Sequence, residues 1–392
     1  MYDILWYNAH IVLEDSLLPN GFIAAKNGSI AYIGHTHPAE PAQKEINVNG
    51  HYLSPGFIDT HSHGGGGCDF MDGTADAFIT AAQMHLKHGT TTLCPTSLTS
   101  TDADLFTFLD CFLRAKETNQ PMPKLPGVHL EGPYFSPDEA GAQPPALMQQ
   151  PDPAHYLRIL DYAKGNIRRW SCAPELPGAL ELGAELARRG IIASIAHTNA
   201  TLQQVETAMR HGFTHLTHFY SGMSTIRREH GKRILGVVEA GYLFDDLTLE
   251  IIADGMHLPP PLLQMILKCK SAEKISLVTD SMRGAGMPDG PSVLGGLSNG
   301  VPVILEEGVA KLPSREAFAG SIATTDRLVR VMVKQAGMSL PEAVRLMTFN
   351  PAKLLGLHHC TGSLAVGKAA DFVIFDDEIT VQSVYINGNK MK

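Results

Sequence analysis

The sequence lacks the features that would place a protein on a membrane or on nucleic acid. No apolar run approaches the roughly 20 residues of a membrane-spanning helix, and the N-terminus shows neither the basic segment nor the small-residue cleavage site of a signal peptide. No basic run occurs, and 31 Lys and Arg against 40 Asp and Glu give a formal net charge of −9. We therefore expect a cytoplasmic protein whose partners include neither nucleic acid nor membrane, although local arginines could hold a small phosphorylated ligand.

Cysteine is also scarce. None of the six cysteines belongs to a Cys-x-x-Cys pair, so the sequence indicates neither a zinc ribbon nor a disulfide framework. We expect all six to be buried for structural reasons; they are Cys68, Cys94, Cys111, Cys172, Cys269 and Cys360.

The sequence does have enough apolar residues for a large core, since 44% of its 392 residues are hydrophobic. From Pro55 to Asp280, eight short apolar or β-branched segments recur, and most are followed by a stretch with helical periodicity. The segments end near His61, Pro95, Glu131, Cys172, His197, His218, Asp254 and Asp280. Helices are predicted at 75–88, 102–118, 178–189, 201–211 and 259–270. This alternation predicts an α/β protein with a TIM-like (β/α)8 barrel over residues 55–356, whose chemistry lies at the carboxyl ends of the strands.

Both chain ends have strand character instead. Residues 1–54 alternate apolar and polar side chains around an Asn27-Gly28 turn, and residues 357–392 return to a strand pattern. We predict that the two ends pair into a small β-sandwich beside the barrel. Three elements are expected after Asp280: a Gly/Pro/Ser-rich loop at 284–300, a helix at 322–336, and a helix at 340–349 that Asn350-Pro351 breaks.

A His-x-His pair ends the first barrel segment. His61 and His63 lie two residues apart on an extended backbone, so both imidazoles point to the same side and can bind one metal ion. Four glycines follow, which let the chain turn tightly and a ligand approach the backbone. With 18 histidines, about one such pair is expected by chance. A second pair, His35 and His37 before Pro38, is interpreted as a surface turn.

Metal-binding residue types recur at the ends of the predicted strands: His61 and His63 at strand one, Glu131 at strand three, His197 at strand five, His218 at strand six and Asp280 at strand eight. A barrel brings these ends to a common mouth, and imidazole and carboxylate ligands suit zinc, iron or manganese. Taken singly, His197 and His218 could be core histidines, and Asp280 could cap the next segment. Their joint position favours a metal site.

Several motifs resemble a known family across essentially the whole chain. Pro55-Gly-Phe-Ile-Asp-x-His-x-His resembles the opening of the amidohydrolase superfamily, and Gly362-Ser-Leu-Ala-Val-Gly-Lys-Ala-Ala-Asp-Phe-Val is similar to a closing motif of many amidohydrolases. Other motifs resemble, within that superfamily, the N-acetylglucosamine-6-phosphate deacetylases. These are His129-Leu-Glu-Gly-Pro, Ala196-His-Thr-Asn-Ala, Thr217-His, Ala253-Asp-Gly-x-His, Leu277-Val-Thr-Asp and Ala319-Gly-Ser.

The resemblance implies metal-dependent hydrolysis of the acetamide of N-acetylglucosamine-6-phosphate to glucosamine-6-phosphate and acetate. It implies Asp280 as catalytic acid and base, and one or two divalent ions per chain, zinc first, with iron or manganese as alternatives. The implied ligands are Glu131, His197 and His218 for the main ion, and His61 and His63 for a second position.

The same resemblance implies the substrate contacts and the partner. The expected partner molecule is an amino-sugar phosphate, bound by a homodimer in which Arg228 and His257 reach the phosphate of the neighbouring subunit's substrate. The implied contacts are Ala142, Gln143, Ser221, Gly222, Arg228, His257 and Phe318.

Three positions depart from the family pattern. Ser221 stands where the family usually has an asparagine, Gln143 where it has a histidine, and Arg283 lies in a segment that usually reads Ala-x-x-Pro-Ala-Gly. The ligands and Asp280 are untouched, so hydrolysis is better defined than the sugar. Arg283 is either a new phosphate or carboxylate contact or a surface arginine.

Other functions stay open. A related deacetylase could act on N-acetylgalactosamine-6-phosphate or another N-acylated small molecule. A dihydroorotase-like enzyme would usually need a lysine at the end of strand four, where Trp170-Ser-Cys-Ala-Pro-Glu has none. A non-catalytic protein of the same fold would be expected to lose metal ligands, whereas this sequence keeps all six residues.

Overall fold

The computed structural model describes residues 1–298 and 300–392. Its centre is a sheet of eight parallel strands in which each strand pairs with the next one along the chain, as the sequence predicts. The strands, numbered here barrel strands one to eight, are Phe57–Ser62, Thr90–Ser97, Val128–Glu131, Ile167–Cys172, Ile192–Ile195, Phe213–Leu216, Thr248–Ile251 and Ile275–Leu277. A bridge between Ser62 and Ser281 and a hydrogen bond from Asp280 N to His61 O (2.8 Å) join strands eight and one. We call this junction the seam; it closes the predicted barrel.

Ten α-helices are present in the described residues. They are α1 Ala75–Lys87, α2 Asp102–Lys116, α3 Pro153–Tyr162, α4 Ala179–Arg188, α5 Leu202–Arg210, α6 Val237–Leu243, α7 Pro260–Cys269, α8 Thr325–Lys334, α9 Leu340–Met347 and α10 Phe349–Leu354. Side chains of Thr74, Thr101, Asp152 and Thr201 cap the first turns of α1, α2, α3 and α5 by accepting backbone N–H groups. The helices bury their apolar faces in one large core that includes Phe78, Phe112, Leu182 and Trp170. This packing holds the strands in register around the mouth.

The two chain ends pair with each other, as predicted, and form a single sheet with its own core. Its strands are Tyr2–Val12, Leu17–Lys26, Ser29–Gly34, Ala42–Asn47, Tyr52–Pro55, Phe372–Phe375, Val381–Ile386 and Asn389–Lys390. Trp6 meets Phe372 and Tyr385 edge-on, with ring centroids 5.1 and 5.2 Å apart. The Asn27-Gly28 turn has φ of 52° and 76°, the left-handed pair that a two-residue hairpin requires.

Short elements complete the fold. The remaining strands are Gly64–Gly65, Cys68–Asp69, Arg227–Glu229, Lys232–Ile234, Gly290–Leu294, Val301–Glu306 and Val309–Lys311, and the 3₁₀ turns are Pro137–Glu139, Pro145–Leu147 and Ala272–Lys274. None of the helices in the described residues is long and apolar enough to cross a membrane.

The segment before α8 differs from the prediction. The loop expected at 284–300 is partly strand, because Gly290–Leu294 pairs antiparallel with Val301–Glu306, which pairs in turn with Val309–Lys311. Asn299, inside that predicted loop, lies outside the described residues. The strand Gly290–Leu294 shows no regular alternation of buried and exposed residues, so its glycine and proline content was the stronger local signal.

Two other expectations were wrong. The helical path breaks at Thr348 but resumes at once as α10, because Pro351 falls in its first turn, where proline is tolerated. Among the cysteines, Cys269 and Cys360 are exposed and Cys68 is half-buried. Cys269 is the last residue of α7 and Cys360 lies in a surface turn, so neither has a core to enter.

The burial of His85 in α1 predicts that the folded protein loses stability in acid. Its Nε2–H donates to Gly64 O (2.9 Å), and burial lowers its pKa to about 4. The unfolded chain therefore binds the proton first, so the stability due to neutral His85 is present above about pH 6.5 and lost as the pH falls towards 4.

When the pH falls from 7 to 4.5, the unfolding free energy of the parent should fall by about 2 to 3 kcal/mol more than that of His85→Gln. Both proteins are treated with chelator beforehand. Urea unfolding at both pH values measures this difference. Equal losses in parent and variant would contradict it.

Candidate active site

The structure brings together all six residues that the sequence placed at the strand ends. His61 lies in barrel strand one, and the other five, His63, Glu131, His197, His218 and Asp280, lie at or within three residues of the ends of strands one, three, five, six and eight. None of the six is more than 8% exposed. Side chains from five strands therefore converge at the carboxyl mouth of the barrel.

Three of them form a group across the seam, here called the His61 group. His61 Nε2 and His63 Nε2 lie 3.3 Å apart, and Asp280 Oδ1 lies 3.2 and 3.1 Å from these two nitrogen atoms. All three ligand atoms are within 4.8 Å of one another, a spacing that one metal ion can bridge.

The other three form the Glu131 group. Glu131 Oε1 lies 2.9 Å from His218 Nε2 and 3.5 Å from His197 Nε2, and the two nitrogen atoms are 3.2 Å apart. Glu131 Oε2 also lies 3.3 Å from His63 Nε2, so this carboxylate joins the two groups.

The orientation of the imidazoles fits a divalent metal. His61 Nδ1 lies 2.6 Å from Glu250 Oε1, and His197 Nδ1 donates to Glu139 O at 2.8 Å. A ring that donates through Nδ1 carries its lone pair on Nε2, which is the nitrogen that points into the cluster. Four imidazole nitrogens and two carboxylates are the donor set of zinc, iron or manganese sites.

The electrostatics of the cluster also favour positive charge. Burial alone would raise the pKa of Glu131 and Asp280, but the neighbouring histidines outweigh it and hold both pKa values below their usual range. Burial would conversely lower the pKa of His218, yet the Glu131 hydrogen bond raises it to about 9. The two carboxylates are therefore ionised at neutral pH and ready to bind cations.

Three of the six residues have an unusual backbone. His197, His218 and Asp280 have φ of 43°, 28° and 47°, in the left-handed region that non-glycine residues rarely adopt. Each such residue costs about 1 to 3 kcal/mol and persists only where the surroundings hold it. The strands therefore end in left-handed turns that direct these three side chains towards the cluster. The sequence alone does not reveal these turns.

A cavity of about 250 Å³ opens above the cluster. Six of the seven predicted substrate contacts line it: Ala142, Gln143, Ser221, Gly222, His257 and Phe318. A Cβ atom at Gly222 would lie 2.8 Å from His197 Nδ1, and its φ is +56°, so only glycine suits this wall. Leu98 and Leu294, which the sequence did not indicate, add apolar surface.

Arg228, the seventh predicted contact, does not line the cavity of its own chain. It is exposed on the hairpin of Arg227–Glu229 and Lys232–Ile234, where it pairs with Arg233 in the register. His257, by contrast, is anchored: its Nδ1 lies 2.8 Å from Asp254 Oδ2 and its ring packs 4.8 Å from that of Phe318.

Gln143 contacts a member of the cluster. Its Nε2 donates to Glu131 Oε2 (2.7 Å) and its Oε1 accepts Thr99 N–H (2.9 Å). Both ends of the amide are therefore bound to protein, so Gln143 orients Glu131 in addition to lining the cavity.

Arg283 differs from both expectations for it. It is 5% exposed, so it is not a surface arginine. Its guanidinium forms an ion pair with Asp72 (2.7 Å) and donates to carbonyl oxygens of Gly67, Val293 and Gly295. These partners occupy the guanidinium, which ties the loop after strand one to the strand Gly290–Leu294 instead of binding substrate.

Two charged residues beneath the cluster escaped the sequence analysis. Glu250 of strand seven and Arg169 of strand four form an ion pair inside the barrel, and both are at most 2% exposed. The sequence signal that could have indicated Arg169 and Glu250 is the presence of charge within the short apolar segments of strands four and seven.

Comparisons with known proteins agree over the whole chain. The profile of the amidohydrolase family matches residues 52–391. The chain is 34% identical over 378 residues to N-acetylgalactosamine-6-phosphate deacetylase of Escherichia coli O157:H7, covering 96% of each, and 33% identical over 383 residues to N-acetylglucosamine-6-phosphate deacetylase of Bacillus subtilis (strain 168), covering 97% and 94%. An Asp-to-Ala variant of N-acetyl-D-glucosamine-6-phosphate deacetylase from Mycobacterium smegmatis, solved in complex with N-acetyl-D-glucosamine-6-phosphate, superposes with a TM-score of 0.90 at 32% identity over 100% of both chains. The similarity thus includes the barrel and the terminal sheet.

Proposed function

Because the chain belongs to the amidohydrolase family, we propose that it hydrolyses the acetamide of N-acetylglucosamine-6-phosphate to glucosamine-6-phosphate and acetate. The observation that carries the proposal is the buried convergence of four imidazoles and two carboxylates beneath a cavity of about 250 Å³. Relatives that cover nearly the whole chain bear the same activity in their names. We further propose that the enzyme works in the cytoplasm.

Amide hydrolysis requires an activated water and a protonated leaving group. A divalent metal bound at this cluster, zinc or alternatively iron or manganese, would supply Lewis acidity towards water and the acetyl carbonyl. Glu131, His197 and His218 would hold the main ion, and His61 and His63 with Asp280 a second position. Asp280, ionised and facing the cavity, accepts the proton of the attacking water and returns it to the departing amine.

The cavity residues provide a sugar site. Ala142, Gln143, Ser221 and Gly222 line the cavity together with His257 and Phe318, whose rings pack against each other. We propose that His257 contacts the phosphate, since Asp254 fixes its ring. Arg228 would reach the substrate of a second subunit in a homodimer, because it lies outside its own cavity.

N-acetylgalactosamine-6-phosphate is a second candidate substrate. The relative from Escherichia coli O157:H7 bears that activity in its name and is 34% identical over 96% of the chain. Ser221 and Gln143, two departures from the pattern of the glucosamine enzymes, both line the cavity.

Acetate release from a panel of N-acetylhexosamines, each with and without the 6-phosphate, tests both candidates. We expect the highest kcat/KM for N-acetylglucosamine-6-phosphate. A higher value for the galactose epimer would transfer the assignment to it, and no acetate from any member in protein loaded in turn with zinc, iron and manganese would end the proposal.

Phosphate selectivity gives a sharper prediction for Arg228. A guanidinium matches phosphate oxygens, and a net charge of −9 provides no general attraction that could replace it. Losing one charge-assisted contact costs about 1.5 to 3 kcal/mol, so Arg228→Ala should lower kcat/KM for the phosphorylated sugar roughly ten- to over a hundred-fold.

The unphosphorylated sugar should be unaffected by Arg228→Ala. Arg233→Ala, which removes the exposed arginine opposite Arg228 in the hairpin, is the matched control. If both sugars lose activity equally, or neither does, Arg228 is part of a solvated loop and binds no phosphate.

A further inference from the structure

We propose that Glu250 is a positioning residue that couples the His61 group to the Glu131 group and sets their affinity for metal. The inference rests on the metal-dependent function proposed above. It concerns a residue of barrel strand seven that does not line the cavity and that is 0% exposed.

One oxygen atom of Glu250 contacts a member of each group. Oε1 lies 2.6 Å from His61 Nδ1 and accepts the backbone N–H of His218 at 3.1 Å. The first contact holds the proton on Nδ1 and leaves the Nε2 lone pair of His61 directed at the cluster. The second holds His218 by its backbone, where φ is +28° and other support is needed. A shift of this carboxylate would displace a ligand of each candidate ion.

Arg169 fixes the carboxylate in turn. Its guanidinium is ion-paired with Glu250, and Nη2 also donates to Thr60 O (3.1 Å) and His129 Nδ1 (2.8 Å). A carboxylate this deeply buried requires such a partner, because an unpaired buried charge is strongly destabilising. The pair therefore presents Glu250 to the metal ligands in one orientation.

Stability alone is a poor explanation for this pair. Barrel interiors are usually filled with branched apolar side chains, and replacing a buried ion pair by well-packed apolar residues is often neutral or stabilising. The contacts of Glu250 with both groups explain why a charged residue lies here, whereas packing does not.

The test compares zinc affinities of full-length parent and Glu250→Gln proteins by competition with a chromogenic chelator. Loss of a hydrogen-bond partner behind a ligand typically weakens metal binding about 10- to 100-fold, and we expect this range. The cobalt(II) form should also change its visible absorption spectrum, since the orientation and basicity of His61 change.

Asp326→Asn is the matched control. Asp326 of α8 is a buried carboxylate whose partners are also a histidine and an arginine, His88 (3.1 Å) and Arg330 (3.3 Å), but it contacts no residue of either group. It should leave zinc affinity unchanged. If Glu250→Gln fails to fold because Arg169 loses its partner, the double variant Glu250→Gln, Arg169→Gln removes both charges and should show the same 10- to 100-fold loss.

Zinc affinity within twofold of the parent in the folded single or double variant overturns the inference, even if the melting temperature falls. A parent protein that binds no zinc, iron or manganese at all overturns the proposed function instead, and the inference with it. The two failures are thus distinguished by the parent's own titration.

Discussion

Replacing Asp280 with asparagine is expected to lower kcat for the sugar phosphate about 10³-fold, within the 10²- to 10⁴-fold that a positioned acid or base contributes. Asparagine keeps the size of the side chain but can neither accept the water's proton nor return it to the amine. Steady-state kinetics together with equilibrium binding of the uncleaved substrate measure the effect, because binding should persist while turnover is lost.

Two controls make the Asp280 result specific. Zinc content measured in the same preparation separates lost proton transfer from lost metal, since Asp280 also belongs to the His61 group. Asp326→Asn, remote from the cavity, should keep parental kcat. Turnover within tenfold of the parent would assign the proton transfer to another group.

Replacing His218 with alanine should remove metal and activity together, to the background of the assay. His218 supplies one of three ligand atoms of the Glu131 group, and a site left with two protein ligands no longer has the coordination of a catalytic metal centre. His197→Ala should behave in the same way. Elemental analysis of the purified proteins, paired with acetate release, is the measurement.

The control for this second result is His155→Ala. His155 is hydrogen-bonded to Tyr134 and Asp102, which lie outside the cluster. Its replacement should therefore leave both the metal content and the activity unchanged. Full activity in a demonstrably metal-free parent would contradict the metal-dependent function. The metal content of the parent, one ion or two per chain, reports whether the His61 group is also loaded.

The sequence could predict the barrel because its signals are local. Most of the short apolar segments are followed by helical periodicity, and five of the predicted helices correspond to α1, α2, α4, α5 and α7. Besides α10, where Asn350-Pro351 was expected to end the helix, two helices were missed for different reasons. α6 has only seven residues, too few for a periodic pattern, while α3 begins with an Asp152 cap and Pro153, a start signal that the sequence analysis did not use.

The residue types of the candidate site could be predicted from the sequence, but the side-chain contacts that hold them in place could not. Strand ends identify His61, Glu131 and Asp280, because a barrel places those ends together. No pattern in one sequence shows that Gln143 turns towards Glu131 or that Arg283 pairs with Asp72, since these contacts depend on side-chain directions across distant loops. His35 and His37 have the same His-x-His spacing as His61 and His63, yet both are exposed on the surface, as predicted. The spacing alone therefore does not identify a site.

The seam has a consequence for biosynthesis. Asp59 and Thr279, which are hydrogen-bonded across it at 2.6 Å, are 220 residues apart, so the His61 group cannot assemble until nearly three-quarters of the polypeptide has left the ribosome. Until then, strand one exposes an unpaired edge that can pair with other chains. Such non-local closure is slow. A nascent chain that stalls before Thr279 is therefore both inactive and prone to aggregation.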